Sequence, residues 1–556
     1  MSIHDSLVIS DLAVTYSTSR GVVQAVQNVS LSLVPGQITA VVGESGSGKS
    51  TTAQAAIGLL ADNAQITAGT MHLGEIDLAR LTDKQWQRIR GPRIGLIPQD
   101  PNNSLNPVKT IGASVSEGLE IHTSLSTEAR KARVIELLEM VGIDNPERRY
   151  RQYPHELSGG MKQRVLIAAA LALEPDFIIA DEPTSALDVT VQKTILDLID
   201  ELRHSRNIGV LLITHDLAVA GDRADRIVVM HDGQVKETGY AASVLSDPQD
   251  SYTRQLLADA PSLSVASVPQ RRSVAGSVRA QQSAHAVAPW QLDVSAQAEP
   301  DPLLSVRNFT QKFGDFTAAE NISFDVQRGT THAIVGESGS GKTTTGRAIA
   351  GFSSPTTGEI LFEGKRIDPK SKQLRKHVQL VYQNPYSSLN PKMTVGVTLA
   401  EPLKNFKLVG KSQIKERVAR YLELVSLDPE FASRRPAELS GGQRQRVAIA
   451  RALIVEPELV VFDEAVSALD VTVQSQILRL LARLQEELTL TYVFISHDLA
   501  VVRQISDTVS VMSAGQQVEY GETERVFSSP TSTFTRSLID AIPGQRFRDG
   551  SLNMGL

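Results

Sequence analysis

The chain has 556 residues, with 56 Lys and Arg against 62 Asp and Glu, and no Cys. A net charge of −6 and a pI near 6.1 exclude a chain-wide basic footprint for nucleic acid. The missing thiols exclude disulfides and cysteine-ligated zinc or iron–sulfur centres. Hydrophobic residues make up 41% and charged residues 21%, an ordinary globular balance with material for two cores. No apolar run reaches the roughly 18 residues of a membrane span. Val165–Leu173 comes nearest, and Lys162, Gln163 and Arg164 precede it. His4 and Asp5 stand where a secretory leader would be basic and then apolar, so none is expected.

In chain order, alternating apolar residues predict strands over Leu7–Tyr16 and Val29–Leu33. The run Ile38–Val42 predicts a buried strand, and Thr51–Leu59 a helix; Gly43-Glu-Ser-Gly-Ser-Gly-Lys-Ser50 lies between them. Strand, glycine loop and helix is the context a P-loop needs. Gly43, Gly46 and Gly48 let successive amides turn inward on phosphate oxygens, with Ser45 in the same loop. The helix start at Thr51 adds partial positive charge. Lys49 is expected to reach the outer phosphates, and the Ser50 hydroxyl to ligate Mg²⁺.

Further along, the strand Phe177–Ala180 ends on Asp181-Glu182. Side chains alternate along a strand, so the two carboxylates face different ways and hold different tasks. Asp181 suits the Mg²⁺ shell through water, and Glu182 suits the base that orients an attacking water. A helix over Thr190–Arg203 and a strand over Val210–Thr214 follow. Alternating strand and helix predicts an α/β fold with a mainly parallel sheet.

Ser262–Asp301 is rich in Ala, Ser, Val, Gln and Pro and is expected to be a flexible linker. As a random coil it spans on the order of 35 Å. Beyond it the chain repeats itself. GESGSGK recurs at an offset of 293 residues; LSGG, SALDVTVQ and HDLAV recur at 282. The second copy therefore drops 11 residues between its first and second motifs, as surface loops allow. Its predicted strands begin at Leu304–Phe313 and Ile322–Val326. Its loop carries Gly336, Ser338, Gly339, Gly341, Lys342, Thr343 and Thr344, and its acid pair is Asp463-Glu464. The expected domains are 1–261 and 302–556, joined by 262–301.

Leu157-Ser-Gly-Gly-Met161 and Leu439-Ser-Gly-Gly-Gln443 each precede the acid pair by 23 residues, and His215 and His497 each follow it by 34. This ordered set resembles the ATP-binding cassette (ABC) ATPases over nearly the whole chain outside the linker. The resemblance implies an antiparallel β subdomain and a helical signature subdomain beside each core sheet. It implies ATP and Mg²⁺ as ligands. Ser158, Gly159 and Gly160 would close on the γ-phosphate held by the other copy's P-loop, as would Ser440, Gly441, Gly442 and Gln443, so the ATP sandwich forms within one chain. Gln99 and Gln383 resemble the glutamine that senses Mg²⁺ and the membrane partner. Asp188 and Asp470 resemble the aspartate that couples the sites, and His215 and His497 the histidine on the γ-phosphate. Tyr16 and Phe313 take the place of the aromatic that stacks on adenine.

The segments Gln99-Asp-Pro-Asn-Asn-Ser-Leu-Asn-Pro107 and Gln383-Asn-Pro-Tyr-Ser-Ser-Leu-Asn-Pro391, with tails at 247–256 and 529–538, resemble the oligopeptide/dipeptide/nickel importers in their fused form. That resemblance implies a peripheral ATPase at the cytoplasmic face of the inner membrane. Its partners would be two integral-membrane permease subunits and an extracytoplasmic solute-binding protein, with no nucleic acid. Peptides lead as cargo; nickel, metal–chelator complexes, glutathione and other small solutes stay open. A twin-cassette ATPase acting on ribosomes is the alternative, but its long charged helical arm has no counterpart in Ser262–Asp301. Two departures mark the copies: Met161 where the second has Gln443, and Ala465-Val466 where the first has Pro183-Thr184. Two competent sites are expected, with equal or unequal rates both open.

Overall fold

The computed structural model describes residues 6–19, 21–184, 187–263, 301–384, 388–467 and 469–544. The described residues form two compact units, each built chiefly from one copy. Most of the expected linker lies outside them. No helix among them is long and apolar enough to cross a membrane.

In the first unit, a four-stranded antiparallel sheet runs Gly21–Leu33, Leu7–Thr18, Ala64–Leu73, Ile76–Asp77. A six-stranded sheet runs Gln234–Tyr240, Arg226–His231, Ile38–Val42, Gly209–Thr214, Phe177–Asp181, Ile94–Ile97. All its neighbours pair in parallel except the outer strand Gln234–Tyr240. Ile38–Val42 and Gly209–Thr214 are buried at every position, because helices pack on one face and the antiparallel sheet with helix Lys49–Ala56 on the other. Each fully buried Val, Leu or Ile there contributes about 1.5–3 kcal/mol. A helical layer, chiefly Ile111–His122, Thr127–Met140 and Gly159–Leu171, packs in one core with this sheet.

The second unit repeats the plan with its sheets joined into one of ten strands. The joint is a single parallel bridge, Glu320 to Gln516. The first copy keeps the corresponding bond, Gln27 N to Gly233 O at 2.7 Å, without the bridge. Core strands Thr331–Gly336 and Leu459–Asp463 are again buried throughout.

Three elements differ most from expectation. The strand placed at Val29–Leu33 starts at Gly21. Asp11 and Asn28 both take positive φ, and the register between the strands shifts there, so a bulge breaks the alternation the eye follows. Likewise, Ile322–Val326 extends back to Phe316, past Asn321 with its φ of 53°. The P-loop helix runs Lys49–Ala56 rather than Thr51–Leu59. Gly48, at φ 96°, is its N-cap, which puts Lys49 and Ser50 in the first turn.

Candidate nucleotide site

Both P-loops are held from behind by backbone. A Cβ on Gly43 would lie 2.1 Å from the Met230 carbonyl oxygen, and one on Gly336 2.0 Å from that of Met512. Gly46 and Gly339, at φ +81° and +80°, have open space around the missing Cβ. The buried Lys49 ammonium donates to the Gly43 and Glu44 carbonyls, both at 2.7 Å. Lys342 does the same with Gly336 and Glu337 at 2.8 Å. Burial pulls the Lys49 pKa down, opposed by the nearby carboxylates of Glu182 and Asp181.

The next residue of each loop meets the first acid. Ser50 donates to Asp181 Oδ1 at 3.1 Å, and Thr343 to Asp463 Oδ1 at 2.8 Å. Burial raises the pKa of both aspartates despite these hydrogen bonds. A hydroxyl beside a carboxylate is the hard-oxygen pair that Mg²⁺ accepts, and Mg²⁺ sites commonly complete themselves with phosphate and water. The donor set therefore fits the ion.

The second acid turns the other way. Glu182 and Glu464 sit just past the strand end with φ of 45° and 49°, a strained region for a side-chain-bearing residue. Their amides donate to Ile213 and Ile495 on the neighbouring strands at 2.9 and 3.0 Å, which fixes the turn. Glu182 Oε2 accepts from Gln99 Nε2 at 2.9 Å and lies 3.3 Å from His215 Nδ1. Glu464 repeats this with Gln383 at 2.7 Å and His497 at 3.5 Å. Burial alone would raise the Glu182 carboxyl; the hydrogen bond and charge of His215, then Lys49 and Gln99, leave it below the usual range. For Glu464, His497 and Lys342 outweigh burial in the same way. Burial pulls His215 down, but Glu182 and then Asp216 bring it above its ordinary value. In each copy, then, lysine, hydroxyl, two carboxylates, glutamine and histidine are brought to one place, a donor set able to hold phosphate and a hard cation beside an ionised carboxylate.

The Tyr16 hydroxyl is 3.4 Å from Thr51 Oγ1, at the mouth of the loop. Phe313 is 58% exposed and pairs across a hairpin with Phe316. Ser158 caps helix Gly159–Leu171, and Ser440 caps Gly441–Leu453. A Cβ on Gly160 or Gly442 would lie 2.6 or 2.5 Å from a methyl of Val191 or Val473, so a side chain there would force that valine to shift. Asp188 is the N-cap of helix Val189–Arg206, and Asp470 directly precedes helix Val471–Leu488. Ala465 and Val466, 3% and 2% exposed, fill the turn that Pro183 and Thr184 fill in the first copy. Sequence reasoning missed Tyr252, whose hydroxyl accepts from the Glu44 amide at 3.3 Å. Aligning the two tails and asking why one has Tyr and the other Phe534 was the available signal.

A family model described as "ABC transporter" matches residues 26–185 and 319–467. The glutathione import ATP-binding protein GsiA of Salmonella typhimurium strain LT2 is 44% identical over 97% of this chain and 90% of its own length. The protein of that name from Escherichia coli strain K12 is 41% identical over 97% and 89%. The solved structure of cbiO1 from Clostridium perfringens, part of the ABC transporter complex cbiONQ, is 30% identical, with a TM-score of 0.40, over 45% of this chain and 98% of that one.

Proposed function

This chain belongs to the ABC transporter family, and on that premise we propose that it is the ATP-hydrolysing motor of an importer that brings a peptide-like solute through partner membrane subunits. The duplicated cluster of Lys49, Ser50, Asp181, Glu182, Gln99 and His215, matched by Lys342, Thr343, Asp463, Glu464, Gln383 and His497, carries the reading. The relatives' names as import ATP-binding proteins support the direction of transport and set aside the ribosome-acting alternative.

In each site the loop amides and the lysine take the β- and γ-phosphates, the lysine trading its loop carbonyls for phosphate oxygens. Ser50 with Asp181, and Thr343 with Asp463, would hold Mg²⁺, with Gln99 and Gln383 beside them; the ion would neutralise the developing phosphate charge. Glu182 and Glu464 orient the attacking water and accept its proton as the water oxygen bonds to the γ-phosphorus and the bond to ADP breaks. His215 and His497 keep those carboxylates ionised and contact the γ-phosphate. Tyr16 and Phe313 stack on adenine. The serine and glycines of each signature complete the other copy's site, with Asp188 and Asp470 coupling the two. Domains 1–261 and 302–556 carry these sites, and covalent linkage keeps each at high effective concentration for the other.

The motor works at the cytoplasmic face of the inner membrane, peripheral to two permease subunits, with a solute-binding protein delivering cargo from outside. Glutathione is the first cargo to test. Vesicles holding the chain, its permease subunits and internal MgATP should accumulate labelled glutathione or a short peptide once loaded binding protein is added. A preparation that hydrolyses no ATP would overturn the reading.

A further inference from the structure

We infer that Tyr252, in the tail helix Ser251–Asp259, is a positioning residue for the first P-loop and makes the first site bind MgATP more tightly than the second. The inference rests on the nucleotide-site reading above and adds a difference between the two copies. Both tails are fastened alike. The Gln249 and Asp250 amides donate to the Glu237 carboxylate at 2.9 and 3.1 Å, and the Thr531 and Ser532 amides to Glu519 at 2.8 and 3.1 Å. The residues at matching positions differ: Tyr252 in the first tail against Phe534 in the second, and in the adjoining hairpin His231 against Ser513.

The Tyr252 ring stacks on His231 with centroids 4.1 Å apart and planes 26° from parallel. His231 follows Met230, whose carbonyl backs Gly43, and Gly233 N donates to Ser47 O at 3.2 Å. Tyr252 is thus seated on the hairpin that supports the loop. From there its hydroxyl accepts the Glu44 amide, while Lys49 grips the Glu44 carbonyl. One residue of the loop is therefore held by its amide from the tail and by its carbonyl from the phosphate-binding lysine. Phe534 has no hydroxyl and cannot make the equivalent bond. Burial, then the charge of Glu44, push the Tyr252 phenol up to about 12, so it stays a neutral hydroxyl at working pH.

Pre-set loops bind without first being ordered. The test is MgATP titration of the full chain, read calorimetrically, with one site silenced at a time. With Lys342→Ala silencing the second site, Tyr252→Phe is expected to weaken MgATP binding about three- to tenfold, the worth of one hydrogen bond, with kcat at saturating ATP held within about twofold. With Lys49→Ala silencing the first site, Tyr252→Phe should change nothing. In that same background, Phe534→Tyr with Ser513→His should tighten the second site. An unchanged first-site affinity in Tyr252→Phe, with loss only in Tyr252→Ala, would assign the residue to packing and overturn the inference. An equal shift at both sites would overturn it too. MgATP binding that survives in the Lys49→Ala/Lys342→Ala double variant would count instead against the nucleotide-site reading.

Discussion

Gln443 returns its side-chain oxygen to the Ser440 amide at 3.0 Å while Ser440 Oγ accepts the Gln443 amide at 3.3 Å, closing a reciprocal cap on the second signature helix. In the first copy Ser158 accepts from the Met161 amide at 3.4 Å, and a thioether cannot return the bond. Met161→Gln is expected to stabilise the first unit by about 0.5–1 kcal/mol, and Gln443→Met to destabilise the second by a similar amount. Calorimetric unfolding, with slowed exchange of the Ser158 amide in Met161→Gln, checks both.

The two kinds of P-loop glycine should respond differently. Gly43→Ala drives a methyl into the Met230 carbonyl, whereas Gly46→Ala meets open space and carries only the strain of its positive φ. Gly46→Ala should cost about 1 kcal/mol and leave the strand before it in place. Gly43→Ala should cost more and displace the loop, abolishing MgATP binding. Thermal melts paired with nucleotide titration give the comparison; equal effects of the two changes would contradict the steric assignment.

Acid should loosen the second unit before the first. His332 is fully buried, bonded to Thr508 Oγ1 at 2.8 Å and Ser510 Oγ at 3.0 Å, and stacked on Phe324 at 4.1 Å. Burial holds its pKa at about 3 against an ordinary 6.5. The unfolded chain takes up this proton below 6.5 and the folded chain does not, so the neutral imidazole's contribution is complete above 6.5 and is lost as pH falls toward 3. Thr39 stands at the matching position of the first copy and does not titrate. Calorimetry from neutral pH down should show the second unit's transition falling faster, and His332→Thr should flatten that slope.

Glu182→Gln and Glu464→Gln should each cut hydrolysis at their own site about 100-fold or more. If the sites are coupled, whole-chain turnover in either single variant falls well below half. Full activity in Glu464→Gln would remove the second site from the mechanism despite its intact geometry.

Which side chains would meet was more legible in the sequence than strand lengths. The clustering of Lys49, Asp181 and Glu182 was readable because a strand–glycine loop–helix motif constrains residue type and spacing along a short stretch of backbone, and the repeat fixed the frame. The opposed aims of Asp181 and Glu182 were expected from strand alternation, but the strand ends at Asp181, and the left-handed turn at Glu182 is what aims it at His215 while Asp181 meets Ser50. Strand lengths were not legible where Asn28 and Asn321 interrupt the alternation with bulges. Nor was the contact between Tyr252 and Glu44, which are 208 residues apart and meet only once the last strand and tail have packed. The polar seam of the second unit was hidden for the same reason. Gln517 accepts the Ser323 amide at 2.9 Å and donates to Ser510, which touches His332; the first copy has Val235 and Val228 in place of Gln517 and Ser510.

The central claim is that both copies hold ATP for hydrolysis, and the direct measurement is nucleotide stoichiometry in the Glu182→Gln/Glu464→Gln double variant of the full chain. Incubated with MgATP and passed through a desalting column, each chain should retain two unhydrolysed ATP molecules. One ATP per chain, or none, would contradict it.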